Sequence, residues 1–119
     1  PLQTKLEWQK HLAHYLDVRA SLKGLILLMD VRHPLKDLDT MMVDWALNRQ
    51  LPIHILLTKA DKLSKSDAKN AVLHVRKYYE LAPHLVTVQS FSSLKRTGLE
   101  DLIQVLNQWY EFDRAGEAE

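Results

Sequence analysis

The sequence contains no cysteine, only three glycines and four prolines, and a formal net charge of just +1 at pH 7. The absence of cysteine excludes a disulfide framework and cysteine-based zinc sites. The small net charge excludes a global field that would attract nucleic acid or membranes, so any basic patch must be local. No apolar run approaches the roughly 20 residues that cross a bilayer, and we therefore expect no membrane partner.

The composition that remains is that of one globular domain, since 46% of the 119 residues are hydrophobic and 26% are charged. Three apolar runs of strand length predict β-strands over 24–31, 52–58 and 84–91. Apolar residues at helical spacing predict four helices. The first helix lies over 3–19, and the second follows the turn "RHPLKD". The third runs from the Ser64 capping signal through Tyr79, and the fourth follows Thr97-Gly98.

The alternation of helices and strands predicts an α/β fold with three parallel strands and helices on both faces of the sheet. In such a sheet the carboxyl ends of the strands meet at one edge, where ligands bind. Asp30, the segment Thr58-Lys59-Ala60-Asp61 and the pair Ser92-Ser93 each follow directly after a predicted strand. The sequence therefore predicts that these residues lie together at one rim of the sheet.

Asp61 has the chemistry to recognise guanine at this rim. Its carboxylate offers two coplanar acceptor oxygens to the N1–H and exocyclic amine of guanine, whereas adenine would leave the carboxylate unpaired. We expect Lys59 to cover the purine face with its alkyl chain. We expect the Ser92-Ser93 loop to offer a backbone N–H to guanine O6, with Ser92 Oγ holding the loop in shape. A solvated strand-to-helix turn is the alternative explanation of "TKAD" taken alone.

Two short segments resemble the base-recognition motifs of translation-factor-class small GTPases, usually written NKxD and SAK. They are "TKAD" at 58–61 and "SFSSLKRTG" at 90–98, and with "MDVRHPLKDLD" they resemble more narrowly the EngB (YihA/YsxC) family. The resemblance covers about Leu6 to Trp109 and implies a P-loop GTPase (Ras-like) fold. Thr58 replaces the Asn of the general motif, as is usual in that family. The resemblance implies that GTP or GDP is bound by Thr58, Lys59, Ala60, Asp61, Phe91, Ser92 and Ser93.

Half of the GTPase machinery has no counterpart in this sequence. The phosphate loop GxxxxGK[ST], switch I with its Mg²⁺-binding threonine, and the DxxG element are absent. We therefore interpret residues 1–112 as the C-terminal part of an EngB-type G domain and residues 113–119 as an acidic, frayed tail. The missing initiator Met before Pro1 fits a longer parent chain. No catalytic residue or metal ligand is identified, so this chain alone should not hydrolyse GTP.

For an intact parent, the resemblance implies slow GTP hydrolysis with Mg²⁺ in the bacterial cytoplasm, and a role in large ribosomal subunit assembly and in cell division. A non-enzymatic α/β interaction module that has lost nucleotide binding is the alternative. The absence of an upstream strand leaves an apolar sheet edge, through which we expect the isolated chain to self-associate. Five basic residues form either a solvated face or a contact with ribosomal RNA, and these are Lys62, Lys65, Lys69, Arg76 and Lys77.

Other conspicuous residues have plainer explanations. His11 and His14 lie three residues apart on the predicted N-terminal helix. We expect them to lie on a solvent-exposed face of this helix and not to bind zinc. We expect His33 to shape its loop, and Asp30 to form hydrogen bonds at its strand end rather than to bind a metal. Three tryptophans fall on apolar stripes and are predicted to lie in the core, namely Trp8, Trp45 and Trp109.

Overall fold

A computed structural model of the chain describes residues 23–118, with side chains as far as Trp109. Within this range three strands alternate with three helices, and a short 3-10 helix, Ala60–Lys62, follows the second strand. The elements are β1 (Leu25–Asp30), α1 (Asp37–Asn48), β2 (Ile53–Thr58), α2 (Lys65–Tyr78), β3 (Val86–Ser90) and α3 (Leu99–Ala118). The helix predicted over 3–19, with Trp8, His11 and His14, lies outside the described residues.

The three strands form a parallel sheet in the order β1-β2-β3, which confirms the predicted α/β class. The register pairs Leu27 with Ile55, and Ile55 with Val88. At the carboxyl end of the sheet, Asp30 lies beside Thr58. The segments that follow the three strands therefore start from the same edge, as the sequence predicted. Within the described residues, β3 lies at one side of this sheet.

Helices α1 and α2 cover one face of the sheet. Alternate residues of β2 are completely buried in this core, namely Ile53, Ile55 and Leu57. The helices contribute four buried residues to the same core, which are Val43, Ala46, Val72 and Val75. Burial of each large aliphatic side chain contributes roughly 1.5–3 kcal/mol. This packing holds the central strand, and hence the rim at its carboxyl end, in a fixed position.

Helix α2 begins where the sequence predicted. Ser64 is the N-cap, and its Oγ accepts a hydrogen bond of 3.0 Å from the backbone N–H of Asp67. A cap of this kind satisfies one of the unpaired N–H groups of the first turn and contributes about 1 kcal/mol. The connection from β2 to α2 is therefore short, which keeps the "TKAD" segment next to the sheet.

Helix α3 starts on the opposite face of the sheet. Gln89, which alternates with the core residue Val88 along β3, donates from Nε2 to the carbonyl oxygen of Gly98 at 2.7 Å. Further along α3, the Trp109 ring packs against Gly24, where an added Cβ would lie 2.7 Å from ring atoms. Helices thus lie on both faces, as predicted.

Trp45 and Trp109 differ from the expectation that they lie in the core, and a stripe of apolar residues on α3 is also partly exposed. Trp45 and Trp109 are both only partly buried. Trp45 packs against the core, while the guanidinium carbon of Arg49 lies 4.3 Å from the centroid of its ring. Three members of the α3 stripe remain 44–46% exposed, namely Leu99, Ile103 and Leu106.

Helix α3 continues through Ala118 and so includes most of the segment 113–119, which we interpreted as an acidic, frayed tail. The backbone of residues 113–118 therefore belongs to the helix. Fraying of this end in solution stays a prediction.

Candidate functional site

The first part of the site is the junction between the ends of β1 and β2. Thr58 closes β2, and its Oγ1 donates a hydrogen bond of 3.1 Å to the carbonyl oxygen of Met29. Lys59 then adopts a left-handed backbone conformation, with φ of 61°, which turns the chain into the 3-10 helix. Its Nζ lies 3.9 Å from Oδ2 of Asp30. The lysine thereby extends from the β2 loop towards the β1 loop, with its side chain still 60% exposed.

Backbone hydrogen bonds join the segment after β2 to the segment after β3. The Phe91 N–H donates to the Leu57 carbonyl at 2.9 Å, and the Ala60 N–H donates to the Phe91 carbonyl at 3.1 Å. These bonds continue the parallel pairing of β2 and β3 beyond the last residues of the two strands. The two segments are consequently held side by side at the rim.

Asp61 and Ser92 are in direct contact at this rim. Ser92 Oγ donates a hydrogen bond of 2.7 Å to Oδ1 of Asp61, and it accepts one of 3.1 Å from the Lys95 N–H. Ser92 is only 1% exposed, whereas Asp61 is partly exposed. The Ser92 hydrogen bond is the main cause that lowers the pKa of Asp61, and the charges of Lys62 and Lys95 lower it further. Asp61 is therefore an ionised carboxylate at neutral pH, on a side chain that is partly exposed at the rim.

The loop after β3 is closed by its own backbone. The N–H of Ser92 donates to the carbonyl of Thr97 and the N–H of Thr97 donates to the carbonyl of Ser92, both at 3.1 Å. The N–H of Ser92 is thus already used. Ser93 is exposed in the turn that follows, and its N–H makes no hydrogen bond within the described part of the chain. Of the Ser92-Ser93 pair, Ser93 is the residue with a free backbone donor.

Asp30 forms the strand-end hydrogen bonds that the sequence indicated. Its Oδ1 accepts a hydrogen bond of 2.9 Å from the Arg32 N–H and lies 3.7 Å from Arg32 Nε. The Arg32 backbone hydrogen bond is the largest cause that lowers the pKa of Asp30, followed among the favourable causes by the charges of Arg32 and Lys59. The His33 N–H donates to the Asp30 carbonyl at 3.1 Å, so His33 takes part in this turn. Among residues 23–118, no cluster of His, Asp or Glu side chains could hold a metal ion.

A cleft of about 530 Å³ lies beside the rim, between α2 and the loop after β3. Four cationic residues line it, namely Lys65, Lys69, Arg76 and Lys95, together with Asp61 and Asp101. Arg76 also donates from Nη2 to the carbonyl of Val88 at 3.1 Å, so it covers part of the open side of β3. The predicted basic group is therefore divided, because Lys62 and Lys77 are exposed but do not line this cleft.

The structure brings together most of the residues that the sequence singled out. Thr58, Lys59, Ala60, Asp61, Phe91 and Ser92 are linked by the contacts above, and Ser93 follows directly but faces solvent. Sequence reasoning missed the closure of the loop by Thr97 and the contact of the Lys95 N–H with Ser92. The glycine that follows Thr97 was the available signal, because a glycine beside a short polar loop commonly marks a tight turn.

Comparisons with known proteins give sequence relatives of this chain. No protein-family model matches the chain. A protein of Aeromonas hydrophila named "Probable GTP-binding protein EngB" is 54% identical over 111 residues, which cover 92% of this chain and 51% of that protein. Proteins of the same name from Aeromonas salmonicida and Tolumonas auensis are 53% and 50% identical over 111 residues each, covering 92% and 93% of this chain and 51% and 52% of those proteins.

The chain spans about half the length of these curated relatives. No helix among the described residues is both long and apolar enough to cross a bilayer. The parallel α/β sheet, together with the similarity to EngB proteins, identifies the fold as part of a P-loop GTPase fold. Over the segment that it shares with these relatives, the chain belongs to the EngB family.

Proposed function

We propose that this chain is the guanine-recognition part of a GTP-binding protein, in which Asp61 reads the donor edge of the base. The observation that carries the proposal is the 2.7 Å hydrogen bond between Ser92 Oγ and Asp61 Oδ1. It holds an ionised carboxylate at the sheet rim, which supports a role for Asp61 in binding the donor edge of a base. The names of the relatives, which refer to GTP binding, support the same proposal.

The other rim residues have complementary roles in this proposal. Lys59 covers one face of the purine with its alkyl chain, while its ammonium group interacts with Asp30 on the neighbouring loop. Ser93 offers its free backbone N–H to guanine O6. Thr58 ties β2 to β1 through the Met29 carbonyl, and Ala60 and Phe91 keep the two base-binding segments adjacent.

In the proposed mechanism this chain supplies base selectivity and leaves phosphate chemistry to other residues. An adenine in the same position would present an acceptor to the Asp61 carboxylate, and each buried polar group left unpaired costs about 1–3 kcal/mol. Phosphoryl transfer needs a phosphate cradle, Mg²⁺ and a positioned water. The printed sequence has no phosphate-loop motif, so the proposal assigns GTP hydrolysis with Mg²⁺ to an intact parent protein and not to this chain alone.

For that parent protein, the family resemblance supports a cytoplasmic GTPase that acts in assembly of the large ribosomal subunit and in cell division. The competing proposal is a non-enzymatic α/β interaction module that has lost nucleotide binding. The two proposals differ in one measurable property, which is specific binding of guanine nucleotide through Asp61.

The test is calorimetric titration of the full-length protein with GDP, for the unmodified protein, for Asp61→Ala and for the control Asp67→Ala. Asp67 is an exposed acidic residue in the first turn of α2, so its substitution changes charge without touching the rim. We expect GDP binding to be lost in Asp61→Ala and kept in Asp67→Ala. Equal binding by both variants would support the interaction module instead.

A contact with ribosomal RNA is a second proposal, supported by the cationic cleft. Lys65 and Lys69 lie one helical turn apart and line the same cleft, where neither forms an ion pair among the described residues. Phosphate contacts of this kind make binding fall steeply with salt. The double variant Lys65→Glu/Lys69→Glu should weaken association with ribosomes, whereas the control Lys77→Glu, outside the cleft, should change it less. Unchanged association in the double variant would exclude this surface.

A further inference from the structure

A buried polar network lies directly beneath the loop that carries Ser92. His54 on β2 is 3% exposed and Gln89 on β3 is 8% exposed. His54 Nε2 lies 2.6 Å from Gln89 Oε1, and His54 Nδ1 lies 2.6 Å from Thr87 Oγ1. Two polar side chains in this position are unusual for strands of an α/β core, because burial of a polar group is favourable only when its hydrogen bonds are satisfied.

The amide of Gln89 spans the two ends of the Ser92 loop. Its Nε2 donates to the carbonyl of Ser90, just before the loop, at 3.2 Å, and to the carbonyl of Gly98, just after it, at 2.7 Å. Both amide hydrogens are therefore used, and Oε1 must face His54. Since Oε1 is only an acceptor, His54 Nε2 carries the proton and donates to it. The orientation of the Gln89 amide is thus set from both sides.

Gly98 makes this close approach possible. It has a φ of +88°, and a Cβ at this position would lie 2.5 Å from the Ser90 carbonyl oxygen and 2.7 Å from Gln89 Nε2. A side chain would therefore separate the two ends of the loop and displace the Gln89 amide. A glycine is required here both for backbone conformation and for space.

We propose that Gln89, oriented by His54, is a positioning residue for the 92–97 loop. It joins Ser90 and Gly98, which flank this loop and are called its neck here, and so holds Ser92 against Asp61. This inference rests on the proposed guanine-binding function of Asp61 for its consequence, but not for the contacts themselves. The neck bonds to Ser90 and Gly98 flank the backbone pair of Ser92 and Thr97, which in turn presents Ser92 Oγ to the carboxylate. Without the neck bonds, the loop can open and the carboxylate loses its fixed orientation.

The consequence is selectivity for the base and not affinity for the phosphates. An Asp61 carboxylate in fixed orientation pairs with both the N1–H and the 2-amino group of guanine. Hypoxanthine lacks the 2-amino group, so the preference for GDP over inosine diphosphate measures how well the carboxylate is held. A general loss of stability lowers the fraction of folded protein but leaves this ratio of dissociation constants unchanged.

The experiment compares Gln89→Met and Gln89→Glu with the control Thr87→Val in the full-length protein. Gln89→Met cannot donate to the Gly98 carbonyl, and the carboxyl of Gln89→Glu cannot do so when it is ionised, so this variant is measured at a pH at which the carboxyl is charged. The control removes only the outer hydrogen bond of His54 and leaves the neck intact. Two quantities are measured, namely amide hydrogen exchange of Ser92 and Thr97 without nucleotide, and the ratio of dissociation constants for inosine diphosphate and GDP.

We expect both Gln89 variants to speed amide hydrogen exchange of Ser92 and Thr97, while the amides of Ile55 and Leu57 on β2 stay protected. The ratio of the dissociation constants for inosine diphosphate and GDP should fall about two- to tenfold, which corresponds to the loss of one hydrogen bond. The control should change neither quantity. Unchanged exchange at the loop, or faster exchange with an unchanged ratio, would overturn the proposal. So would loss of protection at Ile55 and Leu57 in both variants, because Gln89 would then act on the whole core.

Failure of the guanine-binding proposal has a different signature. In that case the unmodified protein would show no preference for GDP over inosine diphosphate, whatever the Gln89 variants do. The exchange measurement would still decide whether Gln89 closes the loop, since it requires no nucleotide.

Discussion

The hydroxyl of Ser92 and the carboxylate of Asp61, 31 residues apart in the sequence, form a 2.7 Å hydrogen bond across the rim of the sheet. The serine comes from the loop after β3 and the aspartate from the segment after β2. Because the serine is buried, the hydrogen bond is shielded from water and orients the partly exposed carboxylate. Base recognition by Asp61 therefore depends on a residue that need not touch the base.

The first prediction concerns the base that Asp61→Asn prefers. The amide of Asn can donate one hydrogen bond where the carboxylate only accepts, so it suits the carbonyl that replaces the 2-amino group in xanthine. We expect affinity for GDP to fall roughly a hundredfold or more and affinity for xanthosine diphosphate to rise. Fluorescence titration of the full-length protein with both nucleotides measures the change.

The control for this change of nucleotide specificity is Asp67→Asn, which makes the same chemical change in the first turn of α2. It should leave the preference for GDP intact. If Asp61→Asn lowered the affinities for GDP and xanthosine diphosphate equally, Asp61 would have a structural role and would not recognise the base.

The second prediction concerns Ser92→Ala and the acidity of Asp61. The Ser92 hydrogen bond is the largest cause that keeps the pKa of Asp61 below its ordinary value of 3.8, so its removal should raise that pKa. A lowered folded-state pKa stabilises the fold above the unfolded value, and this contribution is lost as the pH falls through the folded pKa. The carboxyl carbon resonance of Asp61, followed by NMR from pH 6 downwards, reports the midpoint directly.

A higher midpoint for Asp61 in Ser92→Ala, with an unchanged midpoint for Asp30, is the expected result. Asp30 is the internal reference because its own pKa is lowered chiefly by the backbone hydrogen bond from Arg32. Equal midpoints for Asp61 in the two proteins would show that the hydrogen bond does not persist in solution.

Much of the fold and rim follows from local patterns in the sequence. The apolar run over 24–31 is too continuous for a half-exposed strand, and this indicated a parallel sheet covered on both sides. Once the strands are parallel, their carboxyl ends must coincide, which brings Asp30, Asp61 and Ser92 to one edge. Ser64 marked the start of α2 because a serine before a helix caps its first turn.

The rest depended on contacts between residues that are distant in the sequence. Gln89 lies in the run that predicts β3, but the run does not reveal that His54 and the Gly98 carbonyl bind its buried amide. Arg76 was expected on a solvated face or at a contact with ribosomal RNA, but its guanidinium also donates to the Val88 carbonyl. Polar residues do not reveal by type alone whether they have buried partners, so these roles required the three-dimensional arrangement.

The third prediction concerns the dependence of stability on pH through His54. Burial is the largest cause that lowers the pKa of His54 below 6.5, so below that pH the unfolded chain binds a proton that the folded chain excludes. The free energy of unfolding should therefore decrease as the pH falls from 7.5 to 5.5, by at most about 1.4 kcal/mol per pH unit from this residue. Urea titrations at the two pH values measure it.

His54→Leu should reduce this decrease, since the variant has no imidazole to protonate, even though it is less stable at both pH values. The control His74→Gln makes a comparable substitution at an exposed histidine on α2, so a reduction found only in His54→Leu identifies the buried imidazole as its source. An unaltered decrease in His54→Leu would mean that other groups cause the pH dependence.

The fourth prediction concerns self-association of the isolated chain, expressed as residues 1–119. Among residues 23–118, β1 pairs only with β2, so its other side has no strand partner there. Leu28 on this strand is 62% exposed, and an apolar strand with unpaired backbone groups favours the addition of another strand. We expect sedimentation velocity to show dimers or larger species that increase with concentration.

Leu28→Lys should shift this distribution towards monomer, because a lysine on an exposed edge strand opposes strand addition through its charge. The matched control is Leu81→Lys, since Leu81 is 95% exposed in the connection between α2 and β3, away from the open side of β1. A chain that remains monomeric at the highest soluble concentration would contradict the prediction. An equal shift in both variants would show that added charge, and not the β1 edge, controls association.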